Sequence, residues 1–196
     1  MRPIALFLLL MITMVAHGQT GYRDSMATFL RNYVQTHEVI KGHDKEHMSF
    51  FEIDPGYRIV ADFTASASAD WIRFKTSGKE EKVYRVFGTA NFHLNGQAIK
   101  LNIYQSQNLM ASLQYKNYLF LPFTDSTSGN ETYSGGRYLD LSTNDIRNGK
   151  LVLDFNKAYN PYCAYVSGVY NCPIPPKENA LPVAIRAGEK TFNQSH

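Results

Sequence analysis

Hydrophobic positions change rhythm twice along the chain. An apolar run from Ile4 to Val15, broken only by Thr13, comes first. From 22 to 41, Tyr22, Met26, Phe29, Leu30, Tyr33 and Val34 recur at intervals of three and four, with Arg23, Asp24, Arg31, Asn32 and Gln35 opposite. That spacing predicts an amphipathic helix, and Gly42 is placed to end it. Beyond it the period becomes two. Strands are predicted near 48–53, 57–64, 71–76, 82–94 and 97–105, then at 117–123, 137–141, 150–155 and 181–187, with Gly- and Asn-rich turns between them.

The clearest hairpin is TANFHLNGQAIKLN, because Asn95-Gly96 suits a two-residue type I′ turn. Such a turn sets Leu94 opposite Gln97, Phe92 opposite Ile99 and Ala90 opposite Leu101 on one face, with Asn91, His93 and Lys100 on the other. Turn and apolar pattern therefore agree. The expected fold is mainly β (α+β), an antiparallel sheet or barrel-like core led by one N-terminal amphipathic helix. The 13 Tyr and 12 Phe suit half-buried sheet surfaces. No internal repeat, low-complexity tract or linker divides the chain.

The opening run reads as a targeting segment. Arg2 supplies a positive start, the apolar stretch is shorter than the ~20 residues that span a bilayer, and Ala16-His17-Gly18 is a small-x-small cleavage pattern. Residues 1–18 are therefore expected to be a signal peptide and 19–196 a single β-rich domain, exported to the periplasm or beyond. A retained anchor is the alternative; after cleavage no stable membrane span is expected. The absence of a cysteine near the cut argues against lipidation. The net charge of +3 is dispersed, with no basic stripe, so nucleic acid is not an expected partner. Oligomeric state is left open.

Cys163 and Cys172 are the two cysteines. An even count in an exported chain reads as a disulfide, and closing so short a loop contributes roughly 2 to 3 kcal/mol. A redox or metal role lacks Cys-x-x-Cys spacing and nearby His. His43-Asp44-Lys45-Glu46-His47 does match H-x-x-E-H, a zinc-hydrolase pattern, but Gly42 precedes it and a strand-like segment follows, where the chemistry needs a long helix. No metal or other cofactor is expected. His37, late in the helix, is expected to favour a positive charge beside the dipole. There is no G-x-S-x-G elbow, and the glycines of SGGR (134–137) precede a strand, whereas a phosphate loop opens a helix.

The last third is chemically the densest part. Asp125, Thr127, Thr132, Tyr133, Arg137, Asp140, Asp154, Asn156, Tyr159, Asn160, Glu178 and Asn179 crowd among aromatics, Pro and Gly, where an ordinary solvated surface would carry Lys and Glu. The strings LPFTDSTSGNETYSGGRYLDL, LDFNKAYNPYCAY, CPIPPKENALPVAI and AGEK resemble the hallmark segments of the bacterial family catalogued as domain of unknown function 1684. The resemblance runs from the helix near Tyr22 to Lys190. It implies no activity, cofactor or catalytic residue. The segment after the helix, His43 to Ser49, departs from the family pattern, so the family lends a His site no support.

Three readings of the polar crowd stay open. As a binding site, Asp125, Tyr133, Arg137, Asp154, Asn156, Asn160 and Glu178 would hold a small anionic or glycan-like ligand. Arg137 would act as a planar fork, Asp154 and Asn156 would share one strand face, and Tyr133, Tyr138, Tyr159 and Tyr162 would offer stacking surfaces. As a hydrolase, Asp154 or Asp125 would pair with Glu178 as base and acid. As a structural network, Arg137 would pair with Asp154 or Glu178 in a loop-rich core, with Pro173, Pro175 and Pro176 fixing an extended arm.

Overall fold

The computed structural model describes residues 21–68 and 70–192. The expected signal peptide, 1–18, lies outside the described residues.

Helix α1 spans 21–36, five residues short of the expected end. The His37 ring stops it, because Nδ1 accepts the Ile40 amide at 3.0 Å. A 3-10 turn, Gly42–His47, follows and carries His43 and Glu46 on the surface. Eight antiparallel strands form one sheet: β1 (Arg58–Ala65), β2 (Trp71–Phe74), β3 (Lys82–Leu94), β4 (Gln97–Ser106), β5 (Tyr118–Phe123), β6 (Arg137–Ser142), β7 (Ile146–Arg147) and β8 (Lys150–Asp154). Their order is β6-β5-β4-β3-β1-β8-β7, with β2 paired to β3 beside this path. The sheet does not close, so the barrel alternative gives way to the open sheet. A short helix α2 (Gln107–Met110) follows β4.

The β3–β4 hairpin has the expected register, with Leu94↔Gln97, Phe92↔Ile99 and Ala90↔Leu101. Asn95 and Gly96 both take positive φ, 51° and 77°, as a type I′ turn requires. A bulge between Val86 and Gly88 shifts the register of β3. Because an inserted residue reverses the alternation, even-numbered Tyr84 and Val86 join one apolar cluster while even-numbered Ala90 and Phe92 join the other.

Those two clusters lie on opposite faces of the sheet. On β5, Leu119, Leu121 and Phe123 enter the main core and Phe120 the aromatic cluster; on β6, Leu139 and Leu141 enter the core and Tyr138 the cluster. The main core also takes Leu151, Leu153, Phe155 and the arm residues Leu181, Val183, Ile185 and Ala187. The aromatic cluster comprises Phe74, Tyr84, Tyr104, Phe120 and Tyr138, with Tyr118 and Tyr159 against it.

Two predicted strands are extended segments without a ladder. Residues 181–187 keep the period-two burial and 48–53 do not; among the described residues, 48–53 meet the C-terminal arm through the bridge Phe50↔Glu189. The carbonyls of Ile185, Ala187 and Glu189 are taken by the Arg137 side chain instead of by a neighbouring strand. Likewise β4 and β5 pair only at Tyr104↔Phe120. Farther along, the buried Asn179 carboxamide bridges them, accepting from the Asn102 amide at 2.8 Å and donating to the carbonyls of Asn102 at 2.9 Å and Pro122 at 2.8 Å.

Candidate functional site

The seven residues expected to form a ligand site are not brought into one pocket. Arg137 follows Gly136, whose φ is 83° and where an added Cβ would lie 2.5 Å from the Phe123 carbonyl oxygen, leaving no room for a side chain. This turn sends Arg137 into the main core, where it is 0% exposed and lies over the Phe123 ring. One terminal nitrogen donates to the Ala187 carbonyl at 2.5 Å and the Glu189 carbonyl at 3.2 Å; the other donates to the Ile185 carbonyl at 2.8 Å and Asp125 Oδ2 at 2.8 Å. Asp125 is as fully engaged, since its Oδ1 accepts from the Thr127 amide at 2.7 Å and hydroxyl at 2.6 Å. The pair fastens the C-terminal arm to β6. Arg137 pairs with Asp125, not with Asp154 or Glu178.

The other expected residues serve separate joints. Asp154 accepts the Tyr22 hydroxyl at 2.9 and 3.0 Å, and Asn156 donates to that hydroxyl at 3.0 Å and to the Asp54 carbonyl at 2.9 Å, so the two tie α1 to the end of β8. Asn160 donates its amide to Glu189 at 2.9 Å and its carboxamide to the Lys190 carbonyl at 2.8 Å. Tyr133 folds over Gly135. Glu178 is exposed on a 3-10 turn, Lys177–Asn179. The hydrolytic pairing of Asp154 or Asp125 with Glu178 is therefore not assembled. Cys163 and Cys172 do form a disulfide.

A cleft of about 870 Å³ opens on the opposite face of the sheet. One wall comes from α1 and its end, through Phe29, Tyr33, His37 and Glu38. The other comes from 157–173, through Lys157, Tyr159, Tyr162, Tyr170 and the disulfide's Cys172, and the floor is Tyr138, Leu139 and Asp140 of β6. Strand alternation explains the placement: Arg137 turns to the core, so Tyr138 and Asp140 turn to the cleft. None of the seven expected ligand residues lines it. Of the tyrosines expected to stack on a ligand, Tyr138, Tyr159 and Tyr162 do.

Asp140 is the chemical centre of this cleft. Its Oδ1 accepts two hydroxyls, from Tyr118 and Tyr159, each at 2.7 Å, and among the described residues Oδ2 has no protein partner. Asp140 is exposed to solvent at the cleft. Desolvation raises its carboxyl pKa, opposed by the Tyr159 and Tyr118 hydrogen bonds. The Tyr162 hydroxyl donates to Glu38 at 3.0 Å and has its pKa pushed up to about 12, by desolvation first and then by Glu38, with Asp140 adding to it. Lys157 sits over the Phe29 ring at 5.1 Å. His37 is buried, and desolvation lowers its pKa, with Lys45 and Lys41 pushing the same way. It is therefore a neutral ring that caps a helix end, contrary to the positive charge expected beside the dipole.

Behind the α1 wall lies a second carboxylate that sequence reasoning missed. Glu189 is 0% exposed and accepts from the Tyr165 hydroxyl at 2.6 Å, the Tyr33 hydroxyl at 3.3 Å and the Asn160 amide at 2.9 Å. Burial pushes its carboxyl up to about 7 despite these three donors.

Among the described residues no cluster of three or more His, Cys, Asp or Glu could hold a metal ion, and no helix is long and apolar enough to cross a membrane.

An open antiparallel sheet clamped by a buried Arg–Asp pair, with an aromatic cleft on its far face, is the architecture in which the relatives are to be placed. The chain belongs to the family described as protein of unknown function DUF1684, whose model matches residues 44–190. It is similar to the solution NMR structure of the uncharacterized protein from gene locus rrnAC0354 of Haloarcula marismortui, at 30% identity and a TM-score of 0.66, covering 89% of this chain and 97% of that one. No curated protein matches the chain.

Proposed function

We propose that this protein is a binding domain that takes a small, neutral, glycan-like ligand in the tyrosine-lined cleft over Asp140. One observation carries the reading: a carboxylate whose Oδ1 is fixed by two tyrosine hydroxyls presents a free Oδ2 at the base of an aromatic cleft. A sugar offers the complementary surfaces, with hydroxyls to donate to Oδ2 and C–H faces to stack on tyrosine rings. The cleft's volume falls within the roughly 300–1,000 Å³ range of small-molecule sites. Its lining carries Lys82 and Lys157 against Glu38 and Asp140, so no net charge selects an anion, and Arg137 has its terminal nitrogens committed to the protein's own chain. The neutral, glycan-like member of the expected ligand pair is thereby preferred. Action outside the cytoplasm is part of the proposal, since a disulfide persists in oxidising compartments.

The test is calorimetric titration of the purified protein with mono- and oligosaccharides of glucose, galactose and N-acetylglucosamine, alongside Asp140→Asn. Asparagine still accepts both tyrosine hydroxyls through its oxygen, so the fold is retained while the free carboxylate oxygen is lost. Binding that disappears in a folded Asp140→Asn variant supports the reading. Binding of unchanged affinity in the variant, or no saccharide binding in the wild type, rejects it.

A further inference from the structure

Glu189 stands directly behind the cleft wall, and its hydrogen-bond arithmetic has a consequence for that wall. Oε2 accepts from Tyr33 and from the Asn160 amide, and Oε1 accepts from Tyr165. Three donors converge from three elements: α1, the 158–160 segment and the residue after the 3-10 turn Tyr162–Ala164. An ionised carboxylate is acceptor-only and suits all three. A protonated one carries a hydrogen that needs an acceptor of its own. The Asn160 amide cannot turn its hydrogen away, and the Tyr165 contact is the shorter of the two hydroxyl contacts, 2.6 Å against 3.3 Å. The Tyr33 contact is the one that can reverse.

We infer that Glu189 is a proton-dependent positioning residue for the cleft. When it is ionised, the Tyr33 hydroxyl points inward and donates to it. When it takes a proton from solvent, its O–H donates to the Tyr33 oxygen, and the Tyr33 hydrogen is released towards the Tyr165 hydroxyl, 3.4 Å away, or towards the cleft that its own ring lines. The cleft then gains a hydrogen-bond donor in the protonated state. No bond other than the O–H bond to the incoming proton is made or broken.

The charged and titratable surroundings leave this carboxyl as the group that changes. Tyr33 and Tyr165 have pKa values raised by burial first and by Glu189 second. His37, whose ring centroid lies 4.8 Å from that of Tyr165 and 5.4 Å from that of Tyr33, is driven towards its neutral form. Tyr162 packs on His37 and Tyr159 on Tyr33. Arg137 bonds the Glu189 carbonyl but is answered by Asp125, and the neighbouring Lys190 ammonium lies over the Phe51 ring at 4.9 Å. With its carboxyl pushed up to about 7, Glu189 exchanges its proton near neutrality.

The consequence for ligand affinity rests on the glycan reading; the switch itself does not. The experiment therefore has two arms. In the first, carbon-13 NMR of the unliganded protein follows the Glu189 carboxyl and the Tyr33 ring carbon bearing the hydroxyl from pH 5 to 9. One shared midpoint near neutrality is expected, and Glu189→Gln should erase it from Tyr33, with Tyr33→Phe as the variant that keeps the Glu189 titration but removes its reporter. A Glu189 carboxyl that titrates in the ordinary carboxylate range, or a Tyr33 signal that ignores it, overturns the inference. In the second arm, saccharide titrations at pH 6 and 8 should show a severalfold change in wild type and none in Glu189→Gln. Equal pH dependence in both proteins also overturns it, whereas absent saccharide binding with an intact NMR midpoint defeats the ligand reading alone.

Discussion

Removing Asp125 tests what Arg137 is for. Both side chains are 0% exposed, and among the described residues Asp125, in a 2.8 Å ion pair, is the only countercharge that Arg137 contacts directly. In Asp125→Ala the guanidinium keeps its carbonyl acceptors at 185, 187 and 189 but becomes an uncompensated buried cation. Breaking a buried pair in this way costs about 3 to 5 kcal/mol. For a chain of this size, a loss of that order lowers the melting temperature by roughly 6 to 20 °C. Urea unfolding followed by circular dichroism gives the free energy directly, provided the slope of stability against urea is unchanged. The loss should persist in high salt, because a pair sealed from solvent is barely screened. The double variant Asp125→Ala/Arg137→Met should recover part of the loss, since it removes the stranded charge as well. A cost below about 1 kcal/mol, or a loss abolished by salt, would refute the clamp.

Three further outcomes follow from the geometry. Glu189 has a folded pKa raised from 4.5 to about 7, so its protonated form favours the folded state: the contribution is fully present below pH 4.5 and lost as pH rises through 7, about 3 kcal/mol in all. Glu189→Gln should flatten that fall in urea-derived stability between pH 4.5 and 7.5, and an unchanged slope would count against the burial argument. Cys163→Ala/Cys172→Ala should cost about 2 to 3 kcal/mol from the loop closed by the bridge and weaken saccharide binding, because Tyr170 and Cys172 line the cleft; calorimetry checks both. Tyr118→Phe and Tyr159→Phe should each raise the Asp140 pKa further, by removing a hydroxyl that favours the ionised carboxyl; an NMR titration of Asp140 that does not move would contradict the bonding described.

Local features were legible in the chain, and long-range ones were not. The β3–β4 hairpin could be read to the residue because turn chemistry and alternation lie within one short string. A second Asn-Gly turn, Asn148-Gly149, carries the same signal, with φ of 52° and 69°, and joins β7 to β8. Its dipeptide could have identified that hairpin as well. The 181–187 segment has a strand's alternation but no ladder, because the acceptors that a neighbour would have used are bound by Arg137, 48 to 52 residues away in sequence. No periodicity reports a side chain's distant backbone partner.

The candidate site divides along the same line. Tyr138, Tyr159 and Tyr162 were expected to offer stacking surfaces to a ligand, and all three line the cleft. Arg137 and Tyr138 are adjacent on a strand, so alternation alone forbids both from facing one pocket. Applied to RYLDL, that rule separates Arg137, Leu139 and Leu141 from Tyr138 and Asp140, and so marks Asp140 as the acid on the tyrosine face. Glu189 gave no such signal. Its burial depends on Tyr33 from the N-terminal helix and Tyr165 from a distant turn, neither of which a single acid in AGEK reveals.

The central claim is that ligand recognition belongs to the Asp140 cleft and that Arg137 belongs to the scaffold. Mapping amide and tyrosine-ring shift changes by NMR, while an oligosaccharide that binds the wild type is titrated in, tests it most directly. The account predicts changes concentrated at Tyr138, Asp140, Tyr159 and Tyr162, with Asp125, Arg137 and the 181–187 arm unmoved. Changes centred on Arg137, Asp125 and Tyr133 with a silent cleft would contradict it.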